Sequence, residues 1–532
     1  MNRSKNYLSR LKTLDMDIIR LNNIGALLEW DQETYMPKAA QNERAAQLAL
    51  LAALRQEKII NTEWETLFEK LGYSTHINSS SQSSINNLNS SSSASDTAQF
   101  GDIGFDEVEK AFLREAHRRW IRNKSLPGRL VKAIANETSL AQAAWVDARR
   151  TNNFPAFAPH LEKVVRLKQE YSVTVAPDAE PYDTLLDEHE PGARTAQIST
   201  VFDELTIGLQ KIADKVKGAT NGAYSATPAF LNQKYSVEKQ NIFARRIQSH
   251  MGFDTNRGRL DLSIHPFATN LGPNDIRLTT RYDENKVLSG LFSSIHEAGH
   301  GLYEQGIDEN LRQTILEDGA SLGIHESQSR FWENIVGKSH SFWSFWYSEF
   351  QELFSENLAD VGYDEFYRAV NNVQPSLIRV DADEVTYSLH IVIRFRLEHA
   401  LISGDLKVSD LPGAWNQAYK EYLGITPNND VEGCMQDIHW SAGSFGYFPT
   451  YALGNLYSAQ FVRPMENEIG PLANLLGKGK LDVIQRWLKE NIYRHGRVYN
   501  PNDLCYHLSG KKLDASEFLN YLNSKYSQIY RF

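Results

Sequence analysis

Cysteine is almost missing from this chain, with Cys434 and Cys505 alone among 532 residues. Two cysteines cannot build a disulfide framework, which suits a reducing compartment and leaves both to serve as small buried hydrophobes. No apolar run is long enough to span a bilayer. Residues Met1 to Tyr7 lead straight into charged, helix-patterned sequence, without the apolar stretch of a secretory signal. The basic residues ahead of Asp15 faintly resemble a mitochondrial presequence, yet read better as the first turns of an amphipathic helix. Positive charge is in deficit, with 56 Lys and Arg against 66 Asp and Glu and a net charge of -10. Such a surface repels phosphate backbones and anionic lipid. The expectation is a cytoplasmic protein with no membrane span and no nucleic-acid partner.

What is present is mostly helical periodicity. A chain of this length suggests one domain, 1–532, made of two lobes around a cleft. From Tyr7 to about Leu71 apolar residues recur at three and four, as in Leu8, Leu11, Leu14, Ile18 and then Leu48, Leu51, Leu54. The pattern breaks at Leu28 to Pro37, which reads as a helix connection carrying Trp30 and Asp31, with the chain forced out of helix near Met36. Residues 74–101 are rich in Ser and Asn and have little apolar area to set against the entropy of ordering, so they read as a flexible surface insertion. Periodicity resumes near Phe105 and continues to Tyr171; the acids between Tyr182 and Gly192 read as solvated charge before a Pro-Gly turn. One β signal stands out. Leu262, Ile264 and Phe267 alternate with polar residues, Asn270 to Asn274 read as a turn, and Ile276 and Leu278 alternate again, predicting a small antiparallel hairpin. Such an exposed strand can pair with an extended peptide. Downstream, Trp332, Phe342, Trp343, Phe345 and Trp346 are dense enough to be core.

After the hairpin comes His296-Glu297-Ala298-Gly299-His300. Histidines four apart on a helix share a face and can grip one metal ion, while Glu297, turned about 100° from His296, is free to act on water. A catalytic zinc needs a third protein ligand and an open position. A metzincin would place a third His six residues after His300, where Gly306 stands, and a Gly where Tyr303 stands, so that class is excluded. The candidates that remain are Glu304, Glu309, Glu317 and Glu326. Glu326 suits the role better because a helix break at Gly319 to Gly323 would let a second helix cross the first.

Six segments then carry a resemblance: His265-Pro266-Phe267, Asp275 to Thr279, His296 to His300, His325-Glu326-Ser327-Gln328, Ile378 to Asp383 and Gly433 to Trp440. In this order they resemble the successive signatures of the carboxypeptidase Taq family of thermostable metallocarboxypeptidases. Trp30-Asp31 through Met36-Pro37 and the Tyr182 to Gly192 segment match it too, so the likeness spans nearly the whole chain; the Ser/Asn insertion departs from it. The resemblance implies a mainly helical, gluzincin-like fold with a deep substrate groove, a small sheet at the active site, a homodimer, and one metal ion per subunit held by His296, His300 and Glu326. Zinc is expected, and cobalt or another divalent ion suits the same ligands.

The expected reaction is hydrolysis of C-terminal peptide bonds with broad specificity. Glu297 takes a proton from the attacking water and returns it to the leaving amine. Charge growing on the carbonyl oxygen needs a donor, for which Tyr447 and His439 are the candidates, each otherwise a buried side chain satisfied by a neighbour. The terminal carboxylate needs a planar fork. By resemblance Arg379 is the first choice and Arg277 the second, with the motif around Arg277 limiting substrate length and His265 lining the same groove. From sequence alone an ion pair with Asp381, Asp383 or Asp275 is the plainer fate of each arginine. An endo-oligopeptidase with the same zinc site, and a non-catalytic peptide-binding scaffold with a structural metal, are the competing readings.

Overall fold

Helices dominate the computed structural model, which describes residues 2–75, 104–222 and 224–532. Of the Ser/Asn-rich insertion, residues 76–101 lie outside the described residues. The chain divides into two discontinuous units: Met1–Lys124, Thr227–Val370 and Phe461–Lys512 form the first, and Ser125–Ala226, Asn371–Gln460 and Leu513–Phe532 the second.

In the first unit, α1 (Asn2–Thr34) buries Leu8, Leu11, Leu14 and Ile18 along one stripe. It also runs through Trp30 and Asp31, which therefore belong to a helix and not to a connecting loop. The apolar period fails there because the stripe changes partner: Trp30 is buried, with the Arg277 guanidinium 4.2 Å from its ring centroid, while Ile24 and Leu27 are exposed. The chain leaves helix before Pro37, as expected. α2 (Gln41–Ile59) forms where its leucines predict, but only Ile59 is buried, so periodicity here marks a helix lying on α1 and not a core element.

Three strands follow: β1 (Gly258–Leu262), β2 (Ala268–Asn270) and β3 (Ile276–Thr280), in the spatial order β1-β3-β2. The expected hairpin is β2–β3, antiparallel, with Asn270 opposite Ile276. β1 corrects the rest of the expectation, because it pairs with β3 in parallel, Gly258 opposite Ile276 and Leu262 opposite Thr280. Alternation reports which residues share a face and says nothing of strand direction. Leu262 and Ile264 are exposed at and just beyond the end of β1. α3 (Val287–Gly306) packs on β3 and against α4 (Leu322–Arg330), which continues into a π-helical stretch, Phe331–Val336. Trp332, Phe342, Trp343 and Trp346 are core as expected; Phe345, 42 % exposed, is not.

In the second unit, α5 (Tyr387–Ser403) is buried on nearly every side and carries four buried polar residues, Ser388, His390, Arg394 and Glu398. Two further helices, α6 (Pro449–Gln460) and α7 (Ser516–Tyr530), pack on one another. The helix Pro181–His189 corrects the reading of its acids as solvated. Asp187 and Glu190 are buried, Asp187 Oδ1 accepting from the Gly192 N–H at 2.8 Å and Glu190 Oε1 from the Tyr457 hydroxyl at 2.9 Å. They cap and tether the Pro-Gly turn. Cys434 and Cys505 are buried, and neither is in a disulfide. No helix among the described residues is long and apolar enough to cross a membrane.

Candidate metal centre and substrate site

The metal centre is built where α3 and α4 touch, and the contact depends on Gly299. A Cβ there would lie 2.7 Å from both the Gln328 carbonyl oxygen and the Ser329 Cα, so the backbones approach at a distance that no larger residue permits. α4 begins after the break expected at Gly319 to Gly323, where the Ser321 hydroxyl caps it by accepting from the Ile324 N–H at 2.9 Å. One turn on, Glu326 faces the two histidines. Its Oε2 lies 3.5 Å from His296 Nε2 and 3.3 Å from His300 Nε2. Among the described residues, these three form the one group of histidine, cysteine and carboxylate atoms close enough to hold an ion.

The outer hydrogen bonds fix what those atoms offer. His296 Nδ1 lies 2.9 Å from Glu333 Oε2, and a neutral ring with its proton there turns the Nε2 lone pair inward. His300 Nδ1 faces His325 Nδ1, and His325 Nε2 lies 2.7 Å from Glu304 Oε1; with the His325 proton on Nε2, its Nδ1 accepts from His300, whose Nε2 lone pair then faces Glu326. In those tautomers two imidazole lone pairs and a carboxylate oxygen converge, an arrangement that a cation stabilises. The separations of 3.3 and 3.5 Å also match the edge of about 3.3 Å expected of a tetrahedron with zinc-like bonds. The residues fit a divalent ion.

Burial would lower His296, but Glu326 and Glu333 raise it above the ordinary imidazole value. Burial alone would raise the Glu326 carboxyl, but Arg330, His296 and His300 hold it far below the ordinary carboxylate range. The Arg330 Nε–H donates to Glu326 Oε1 at 2.6 Å, keeping Oε2 for the histidines. Burial lowers His300 to about 4, so the ring is neutral. Glu297, buried beside these groups, is pushed up to about 7 by burial, with His296 opposing and Glu326 adding to the rise.

Of the other candidates in the first unit, Arg277 has the expected partner: its Nε and Nη2 grip the two Asp275 oxygens at 2.8 and 2.9 Å. His265 is exposed in the connection between β1 and β2. Glu304 and Glu317 line a cavity of ≈ 390 Å³ that His325 also lines, Glu309 lies in a short turn, and none of the three joins the group of His296, His300 and Glu326.

The second unit gathers the remaining candidates. Arg379 is buried, but its partner is Asp437, not Asp381 or Asp383: Nε and Nη2 donate to Asp437 Oδ1 at 3.1 and 2.9 Å. Asp383 is instead spent on the turn that precedes α5, accepting from the Val385 and Thr386 N–H groups. The other Asp437 oxygen takes Arg394 Nη2 at 2.6 Å, so two buried guanidiniums share one carboxylate. The His439 ring packs on Tyr447, Phe448 and Tyr451, its Nε2 3.4 Å from the Tyr451 hydroxyl. Burial, with Arg379 and Arg394 nearby, lowers His439 to about 4 against the pull of Asp437.

Sequence reasoning missed Glu333, His325, Asp437 and Arg394 as parts of these sites. For Glu333 a signal existed, since Glu326, Arg330 and Glu333 stand at i, i+4 and i+7 on one helical face. Asp437 lies 58 residues from Arg379, and no local pattern joins them.

Comparison with known proteins places this geometry. Residues 10–526 match the family model described as carboxypeptidase Taq (M32) metallopeptidase. Thermostable carboxypeptidase 1 of Thermus thermophilus is 38 % identical over 520 residues, 96 % of each chain, and carboxypeptidase 1 of Bacillus subtilis is 37 % identical over 505 residues, 95 % of each. The crystal structure of the M32 carboxypeptidase from Deinococcus radiodurans superposes with a TM-score of 0.89 at 35 % identity, covering 99 % of this chain and all of that one. A chain matched from residue 10 to residue 526, with relatives aligned nearly end to end, belongs to the carboxypeptidase Taq (M32) family and is a metallocarboxypeptidase.

Proposed function

We infer that His296, His300 and Glu326 hold one divalent ion per subunit, zinc in the first instance, and that Glu297 is the general base of peptide hydrolysis. The convergence of two imidazoles and a carboxylate beside a second buried carboxyl, Glu297, carries the reading. When bound, the ion supplies Lewis-acid polarisation of the scissile carbonyl and lowers the pKa of the attacking water. Glu297 accepts the proton that the water loses as its oxygen bonds to the carbonyl carbon, then delivers it to the amine nitrogen as the C–N bond breaks. Tyr447 and His439 are the donors proposed for the developing oxyanion, His439 acting as a neutral ring because burial disfavours its protonated form.

Arg379 is the proposed receptor for the terminal carboxylate of the peptide. Arg379 and Arg394 carry two positive charges against the single negative charge of Asp437, and a buried surplus of one sign favours a ligand of the other. Arg277, already gripped on both sides, and His265 are proposed to line the path of the chain. Activity on free C-termini that vanishes when they are amidated supports a carboxypeptidase; rapid cleavage of amidated peptides would favour the endo-oligopeptidase. A closed four-ligand structural site, which the scaffold reading needs, has no counterpart among the described residues. Glu297→Gln should keep full metal content and lose about 10²–10⁴-fold in kcat; undiminished turnover would remove Glu297 as the base. A cytoplasmic homodimer in which the whole chain works as one domain completes the reading, on the support of the family resemblance and of two cysteines that form no disulfide.

A further inference from the structure

The two metal-holding histidines are braced differently. Behind His296 stands a carboxylate, Glu333, itself held by Arg330 and Lys338. Behind His300 stands a second imidazole. The His300 and His325 ring centroids are 4.6 Å apart with planes inclined by 24°, and with Nδ1 facing Nδ1 the rings meet edge to edge. His325 Nε2 donates to Glu304 Oε1, and Glu304 Oε2 accepts from the Asn270 side-chain amide at 2.7 Å. Tyr303 covers one face of His325 at 5.3 Å, and Gly319 presses on it so closely that a Cβ there would lie 2.9 Å from His325 Cδ2. The chain of bonds thus runs from His300 on α3 through His325 on α4, back to Glu304 on α3, and ends on Asn270 of β2.

We propose that His325, Glu304 and Asn270 are positioning residues that set the metal affinity of the site by holding His300 in the tautomer that turns its Nε2 lone pair to the ion. The proposal rests on the metal site inferred above. Each member has one available role. His325 can accept from His300 only if its own proton is on Nε2, Nε2 keeps that proton only while Glu304 accepts it, and Glu304 keeps its orientation through Asn270. The brace is a hydrogen bond to a metal-bound imidazole, the kind of outer partner whose loss costs about 10–100-fold in affinity. It ends on the sheet, where the neighbour of Asn270, Thr269, pairs with Arg277 of β3. The ligand is therefore aligned by a strand that also adjoins a proposed substrate residue.

The test compares Glu304→Ala, Glu304→Gln and His325→Phe with the wild type. Zinc dissociation constants are measured by competition with a chromophoric chelator, and geometry is read from the visible spectrum of the cobalt-loaded protein. Glu304 lines the ≈ 390 Å³ cavity, so its truncation enlarges a space already present. Glu304→Ala should weaken zinc binding about tenfold and shift the cobalt bands, and His325→Phe, which keeps a ring under Tyr303, should weaken it about 10–100-fold. Glu304→Gln still offers His325 an acceptor oxygen but sets its amide against that of Asn270, so it should lose clearly less affinity than Glu304→Ala. Equal affinity in all four proteins would overturn the proposal, as would equal losses in Glu304→Gln and Glu304→Ala. Should His325→Phe fail to fold, the Glu304 pair decides alone. A wild type that binds no zinc would instead sink the metal site itself, whereas one that binds zinc and hydrolyses peptides beside unaffected variants would sink only this brace.

Discussion

The metal centre of the first unit and the arginine cluster of the second solve opposite problems with the same means. At the candidate metal centre, Glu326 and Glu333 pair with Arg330 and Lys338, and Glu297 is buried beside them with its carboxyl pushed up to about 7. In the arginine cluster, Arg379 and Arg394 face Asp437, two positive charges against one, and His390 and His439 are held neutral by burial, Arg379 and Arg394 adding to the effect. Burying charge is expensive, and the function proposed above answers that cost with a cation at one cluster and an anion at the other. In both places the reserved group is kept available by a counter-ion on its far side: Arg330 on Glu326, Asp437 on Arg379.

Removing the surplus from one side should break this symmetry. Arg379→Met, which keeps the stem and deletes the charge, should lower kcat/KM for peptides with free C-termini by about 10²–10³-fold, as loss of a buried charged hydrogen-bonding partner typically does, with zinc content unchanged. An equal loss of zinc would show that the two charge sites do not act independently.

A smaller effect concerns a carboxyl that could cancel the positive surplus. Glu398 on α5 accepts from the Tyr182 hydroxyl at 2.6 Å, Trp440 Nε1 at 2.7 Å and the Gly446 N–H at 2.9 Å. Burial nevertheless pushes it up to about 7, these bonds and Arg394 only partly opposing. Its folded pKa lies above the unfolded one, so the folded state binds the extra proton between about 4.5 and 7 and loses that advantage as pH rises through the window. The cost is bounded at about 3 kcal/mol by the size of the shift. Glu398→Gln, which mimics the neutral form, should flatten the fall of denaturant-derived stability between pH 5 and pH 8; an unchanged slope would assign the ionised form to Glu398 at neutral pH.

The smallest effect is expected at the helix contact. Gly299→Ala should cost about 1–3 kcal/mol in stability through overpacking, and zinc should bind more weakly because α4 is pushed from α3. Thermal unfolding of the metal-free protein, set beside chelator competition, separates the two consequences.

Much of the metal centre was legible because its information is local. Two histidines four apart and a glycine-bounded break mark the faces of α3 and α4 from sequence alone. What escaped was non-local. Arg379 has two acids within four residues and pairs with neither, because tertiary packing brings Asp437 to it from 58 residues away. The loop assigned to Trp30 failed for a related reason: helix propensity continued while the buried stripe changed its partner to Arg277. β1 was misread because alternation carries no direction.

Gly299 contributes no ligand, proton or charge, yet it sets the span that the ligands must bridge. In engineering terms it is the spacer of the site. Grafting His296, His300 and Glu326 on to a foreign helix pair would transfer the chemistry without the tolerance, because a single methyl group between two backbones is wider than the error a three-ligand shell accepts.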